Sequence, residues 1–155
     1  MLSTVVTWKE FETAEPAFAE RVRALFDAHR HKTIATLRAD GSPRISGIEC
    51  EIVEGQLRFG SMPGSRKGAD LRRDPRFALH SASIDPPEDD PASWPGDAKI
   101  AGRAVYAGEL DGEMPGDLFQ ADITEVVLTK LNDSGTKLRI ETWRPGAELR
   151  VIERE

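Results

Sequence analysis

The sequence predicts a mainly β fold, a small antiparallel barrel or sandwich of six to seven strands behind an N-terminal helix. Short extended runs rich in β-branched and aromatic residues recur at regular spacing along the chain, and turn signals such as Asp40-Gly41, Glu54-Gly55 and Asn132-Asp133-Ser134-Gly135 separate them. Helical periodicity, by contrast, occurs in only two places. Closing the strands into a barrel would remove the unpaired edges that each otherwise exposes. The 155 residues fit one domain over 1–155, with no repeat or linker. A chain of this size buries about 70% of its unfolded surface, enough to need neither disulfide nor metal.

Residues 1–30 are read as an N-terminal helical segment. Phe18, Val22, Leu25 and Phe26 recur at helical spacing behind Pro16, a residue suited to a first helical turn, so a helix is expected over about 16–29 with its apolar stripe in the core. His29 and His31 fall at its C-terminal end, where a cation complements the dipole, and neither is assigned any chemistry. Residues 33–37, 44–53 and 56–61 form a meander joined by the two glycine turns. A short helix follows, capped by Ser65 and stopped by Asp74-Pro75, and residues 77–83 supply another strand. On that strand His80 is read as a hydrogen-bonded core or interface residue. Residues 85–96 suit neither regular element, because proline removes donors and the carboxylates repel one another; they form a surface loop with Trp94 as its apolar anchor. Strands are expected at 98–110, 123–131 and 137–143, a loop at 111–117, and an extended tail at 148–154.

Charge narrows the function. The chain holds 21 basic and 27 acidic residues, net −6. Yet residues 66–76 carry Arg66, Lys67, Arg72, Arg73 and Arg76 against Asp70 and Asp74, so this segment is +3 within an otherwise acidic protein. Nucleic acid calls for a broad basic face, so it is not expected as a partner; a small phosphorylated ligand suits one basic knot. The single cysteine, Cys50, permits no internal disulfide. With neither a secretory leader nor an apolar run long enough to span a membrane, the chain is expected to be cytoplasmic and to have no membrane partner.

The most informative stretch is Gly60-Ser61-Met62-Pro63-Gly64-Ser65-Arg66-Lys67, a strand end that runs through a Pro-Gly turn into a helix opening with two cations. Ser65 is a good N-cap, and the first turn behind it leaves backbone N–H groups without intrahelical partners. The positive end of the helix and the side chains of Arg66 and Lys67 then make an anion site suited to a phosphate.

Three blocks of the sequence resemble the pyridoxamine 5′-phosphate oxidase-like superfamily, the FMN-binding split barrels. They are residues 33–44 (Thr-Ile-Ala-Thr-Leu-Arg-Ala-Asp-Gly-Ser-Pro-Arg), the run from Gly64-Ser65-Arg66-Lys67 through Leu71-Arg72-Arg73-Asp74-Pro75-Arg76, and residues 143–154. They stand in family order and frame nearly the whole chain from residue 30. The resemblance implies a split β-barrel that forms a homodimer with its cofactor sites at the interface. It implies that the FMN phosphate is held by Arg66 and Lys67, by Arg44 at the head of the second strand, and by Ser61. Ile45, Ser46 and Gly47 would lie along the isoalloxazine ring. On the residue alone, Gly47 reads equally as a strand kink or bulge.

True pyridoxamine-phosphate oxidases end in Trp-x-x-Gly and then Arg-x-His-x-Arg; here Trp143, Arg150, Ile152 and Arg154 fall on that pattern with one extra residue between. Trp143 and Arg154 match the flavin-contacting ends, while Ile152 replaces the substrate-contacting histidine and offers no donor. Glu49 stands where those oxidases place a phosphate-binding lysine, and residues 111–117 are too short for the helix that meets the substrate phosphate. The cofactor half of the resemblance therefore holds and the vitamin-substrate half fails. The reading is a flavin-dependent oxidoreductase acting on an unidentified small molecule, with chemistry that belongs mostly to the cofactor and no protein acid or base assigned. The alternatives are a 5-deazaflavin at the same site, with Arg72, Arg73 and Arg76 facing its anionic tail, and a non-catalytic flavin- or haem-binding module.

Overall fold

In a computed structural model, which describes residues 4–110 and 115–155, two helices precede the first strand. α1 (Trp8–Ala14) begins where the Thr7 hydroxyl accepts from the Glu10 amide at 3.2 Å, and Pro16 opens α2 (Pro16–Asp27) directly behind it. The sequence predicted one helix here. With only Trp8 and Phe11 buried over seven residues, α1 is too short to display a helical period.

The strands are β1 (His31–Leu37), β2 (Pro43–Val53), β3 (Gln56–Ser61), β4 (Arg76–His80), β5 (Asp97–Glu109), β6 (Asp117–Leu131), β7 (Leu138–Trp143) and β8 (Arg150–Arg154), with α3 (Arg66–Arg73) between β3 and β4. All pair antiparallel in one sheet ordered β3-β2-β1-β4-β5-β6-β7-β8, and β3 pairs β6 as well. That last pairing closes β1 to β6 into a six-stranded barrel, leaving β7 and β8 as an extension beyond β6. Of the two predicted architectures, barrel and sandwich, the chain adopts the barrel.

The departures from the predicted strands have local causes. β6 begins at Asp117 rather than 123, because Phe119, Ala121 and Ile123 alternate inward through that stretch. Of the expected loop at 111–117, residues 111–114 lie outside the described residues. The tail forms an eighth strand by pairing with β7 from Thr142↔Arg150 to Leu138↔Arg154. The acidic 85–96 segment is irregular apart from one 3-10 turn (Pro91–Ser93), and the Trp94 indole N–H anchors it by donating to the Ile84 carbonyl at 2.6 Å.

The two N-terminal helices seal one region of the barrel core. Phe11 is fully enclosed, with ring centroids 5.0 Å from Trp8, 5.8 Å from Phe18 and 4.8 Å from Trp143. Polar ties fix the helices in place: the Lys9 amide donates to the Gly55 carbonyl in the β2–β3 turn at 2.9 Å, and Arg21 grips the buried Glu141 carboxylate on β7 through both terminal nitrogens. Opposite the β6 bulge at Thr124, a Cβ on Gly102 of β5 would lie 2.1 Å from the Asp122 carbonyl oxygen, so only glycine lets the two longest strands approach there.

Candidate cofactor site

α3 is docked by a buried carboxylate. Asp70 is 2% exposed; its Oδ2 accepts from the Thr36 hydroxyl on β1 and from Arg44 Nε on β2, both at 2.8 Å, and its Oδ1 accepts from Arg73 at 2.8 Å. Desolvation pushes the Asp70 pKa up, but the hydrogen bonds from Arg44, Thr36 and Arg73 together outweigh it and hold the carboxyl below its ordinary 3.8. Arg44 thereby has a fixed position at the head of β2.

The basic segment resolves into two groups. Arg72 makes a two-point pair with Asp117 (3.0 and 2.8 Å) and lies 4.3 Å over the Tyr106 ring, Arg73 is held by Asp70, and Arg76 by Asp74 at 2.7 Å. Paired in this way, Asp74 falls to a pKa of about 2 through its hydrogen bonds from Arg76. The side chains of Arg66 and Lys67 form no hydrogen bond or ion pair among the described residues. These two are the first residues of α3, whose amide N–H groups also lack intrahelical partners.

Ser65 caps α3 by accepting from the Gly68 amide at 3.1 Å. Ser61, at the end of β3, is 3% exposed, and its Oγ has no hydrogen-bond partner among the described residues. A buried hydroxyl left in this way costs about 1–3 kcal/mol. A Cβ on Gly68 would stand 2.5 Å from Ser61 Oγ and 2.9 Å from Ser65 Oγ, so glycine at 68 is what lets both hydroxyls close over the first turn of the helix.

The barrel opens beside this turn. β2 and β3 pair only from Cys50↔Phe59 to Val53↔Gln56, while β3 continues to Ser61 against β6 and the earlier half of β2 continues against β1. The edge of β2 over residues 44–49 therefore has no strand partner on its β3 side among the described residues. A hollow of about 870 Å³ lies along the split, lined by Gly47, Glu49, Cys50, Ser61 and Lys67 among others. A second hollow of about 420 Å³ is lined by Arg38, Arg44, Arg66, Asp70 and Arg73. Successive residues of a helix diverge by about 100°, which is why Arg66 and Lys67 line different hollows.

The remaining predicted residues divide in the same way. Ile45 is 75% exposed and Gly47 is exposed, on the outward row of β2, whereas Ser46 is half-buried. Gly47 pairs with Thr33 in unbroken register, so it is neither kink nor bulge, and a Cβ there would meet nothing within 4 Å. Trp143 is a core residue, 2% exposed against Phe11, and lines neither hollow. Arg154 is exposed at the end of β8, with Ile152 42% exposed two residues before it. Glu49 does line the larger hollow. Sequence reasoning missed Asp70 and Thr36; the only available signal was a lone acid among the cations of a short helix. Among the described residues no group of three side chains is arranged to hold a metal ion, and no helix is long and apolar enough to cross a membrane.

The family profile described as pyridoxamine 5′-phosphate oxidase matches residues 18–148. No curated protein matches the chain. Similar solved structures include PhzG from Burkholderia lata 383 in complex with tetrahydrophenazine-1-carboxylic acid (TM-score 0.65, 13% identity, covering 99% of this chain and 98% of that one). They also include a pyridoxamine 5′-phosphate oxidase-related, FMN-binding protein from Nostoc punctiforme (TM-score 0.62, 12% identity, covering 91% and 96%). A third is a heme binding protein from Mycobacterium smegmatis (TM-score 0.54, 15% identity, covering 86% of this chain and 57% of that one). At these identities the likeness is one of fold.

The Asp70 network generates a stability prediction. Because its pKa is depressed in the folded chain, Asp70 contributes stability that is fully present above its ordinary 3.8 and is lost as pH falls through the lower folded-state value. Asp70→Ala should cost about 3–5 kcal/mol at neutral pH, since it strands the Arg44 side chain, and should flatten the fall in stability below about pH 5. Urea unfolding across pH checks both; a loss under about 1 kcal/mol with an unchanged pH profile would remove Asp70 from its organising role.

Proposed function

The chain belongs to the pyridoxamine 5′-phosphate oxidase family, and from that premise we propose that it binds FMN and acts as a flavin-dependent oxidoreductase on a small molecule other than a vitamin phosphate. The observation that carries the reading is the buried Ser61 Oγ beside the first turn of α3, which has no hydrogen-bond partner among the described residues, where the Arg66 and Lys67 side chains likewise have none. A phosphate supplies acceptors for all of them and a negative charge for the helix terminus. Arg44, held by Asp70, completes the set. The open edge of β2 at Ile45, Ser46 and Gly47 offers backbone groups to a planar heterocycle, and the missing Cβ at Gly47 allows close approach.

A bound flavin would supply the hydride or electron-pair transfer. The chain's own residues bind the phosphate, orient the ring along β2 and shield it. Of the two C-terminal residues that the family resemblance assigns to the flavin, Trp143 is enclosed in the core, and Arg154, exposed on β8, is the one left to meet the cofactor. FMN is favoured over 5-deazaflavin because Arg72, Arg73 and Arg76, the cations available to an anionic tail, are each already held by a carboxylate. Ile45 and Met62, 75% and 59% exposed beside the split, support a homodimer in which a second copy covers the site. We further place the protein in the cytoplasm as one domain over 1–155.

Replacing Arg66 and Lys67 together by Ala should weaken FMN binding at least about tenfold, since each charge-assisted hydrogen bond contributes roughly 1.5–3 kcal/mol, with no change in circular dichroism. Fluorescence titration of FMN reads this directly, and equal affinities would sink the phosphate assignment.

Assembly is tested by multi-angle light scattering of the FMN-loaded protein, expected at twice the 17.1 kDa chain mass. A monomer with full cofactor occupancy would refute the shared site.

Pyridoxine phosphate and pyridoxamine phosphate should give negligible pyridoxal phosphate under air, because Ile152 supplies no donor and Glu49 repels a phosphate in the larger hollow. Rapid turnover of either, followed by absorbance of the aldehyde product, would overturn this exclusion.

A further inference from the structure

Lys32 stands on the inward row of β1 with Ile34 and Thr36, and it is 7% exposed. Its ammonium has one hydrogen-bond acceptor, the Arg30 carbonyl at 3.1 Å. Among the described residues no carboxylate lies within ion-pairing distance of it. An ammonium taken out of water needs a counter-charge or a full set of acceptors, and one carbonyl is neither. Every other ionisable side chain that is buried to this degree among the described residues, Asp70 and Glu141, has its opposite charges in place. Lys32 is the exception.

It is also placed where a ligand reaches it. Lys32 lines the larger hollow, together with Ser61 and Lys67. Cys50, on the inward row of β2, lines the hollow too, and burial drives its thiol pKa to about 11 against the opposing pull of the Lys32 charge. Lys32, 7% exposed, thus brings a cationic side chain to an enclosed part of the hollow wall. Phe59, Met62, Leu110 and Leu118 give the same hollow an apolar wall.

We propose that Lys32 anchors a carboxylate on the molecule that this site acts upon, so that the cleft selects small organic acids with an apolar body over neutral molecules and phosphate esters. The inference rests on the flavin reading for the identity of the site, and it adds the class of substrate. Charge count selects a carboxylate over a phosphate. With Lys67 taken by the cofactor phosphate, Asp27, Glu49 and Glu51 balance Arg30, Lys32 and Arg58 along the hollow, so a dianion meets more uncompensated repulsion there than a monoanion. In this assignment the phosphate of the cofactor sits at Ser61, Arg66 and Lys67, and the acid at Lys32 is a second, separate anion subsite.

The test uses calorimetric titration of FMN-saturated protein with benzoate, benzyl alcohol and phenyl phosphate, alongside Lys32→Met and Lys32→Arg. Benzoate should bind the parent chain about tenfold or more tighter than either other probe, Lys32→Met should abolish that preference, and Lys32→Arg should keep it. Because Lys32→Met exchanges an uncompensated ammonium for an apolar chain of similar length, its thermal midpoint without ligand should be unchanged or higher. Equal affinity for the three probes, no benzoate binding, benzoate binding that survives Lys32→Met, or a lowered midpoint in that variant would each overturn the proposal. FMN occupancy, read from the visible absorbance of the same samples, should be equal in parent and variants. A chain that takes up no FMN but still binds benzoate through Lys32 would refute the cofactor and leave the acid subsite standing.

Discussion

Asp70 joins helix, barrel and candidate site at one point. A carboxylate at 2% exposure is a costly thing to bury, and it is tolerated here because Thr36, Arg44 and Arg73 fill its lone pairs from three directions. The arrangement sets the pose of α3 on β1 and β2, and the pose of α3 in turn decides where its free N-terminal amides, Arg66 and Lys67 stand. A buried ion network adds little net stability compared with apolar packing, but it penalises every docking of the helix that leaves the charge unmatched. Specificity of position is what a phosphate site needs, since its donors act together only if they converge.

The second constraint is the division of β3. Gln56 to Phe59 pair with β2 and only Gly60 and Ser61 have β6 alone, so the barrel is closed at one end and parted at the other. Ser61 sits at the parted end, and the free edge of β2 faces it. A sheet edge is normally a liability that invites another chain to pair. Here the exposed Ile45 and Met62 mark the same edge, so the features that would make the isolated chain sticky are those that the proposed cofactor and second copy cover.

Much of this was legible before the fold was known, for physical reasons that differ between elements. The meander, the N-cap at Ser65 and the place of Arg66 and Lys67 in the first turn of α3 are local, and local sequence carries them. α1 escaped notice because two buried aromatics in seven residues show no period. The early start of β6 was missed because Asp117 and Gln120 dilute an alternation that becomes clear only when β3 and β5 are seen on either side of it. Asp70 looks like the solvated acid of a basic helix until Thr36 and Arg44, distant in sequence, are brought to it. Lys32 was invisible for a similar reason: a lysine between His31 and Thr33 reads as the wet end of a strand, and only the strand's inward row shows that it is enclosed.

The three-way pairing of β6 also bears on how the chain reaches this structure. β1, β2 and β3 can form their hairpins early, from neighbouring residues, but the barrel closes only when β3 meets the first residues of β6, far along the sequence. Loop closure of that span must come before its pairing is repaid, which slows folding and makes it strongly cooperative. Until β6 arrives, β3 has an open edge and Phe59 and Phe119 have not met; their ring centroids end 6.1 Å apart. During synthesis at about 5–20 residues per second, the first half of the barrel waits several seconds for the strand that completes it. That interval, rather than any step in the finished molecule, is when the chain is most exposed to pairing with the wrong neighbour.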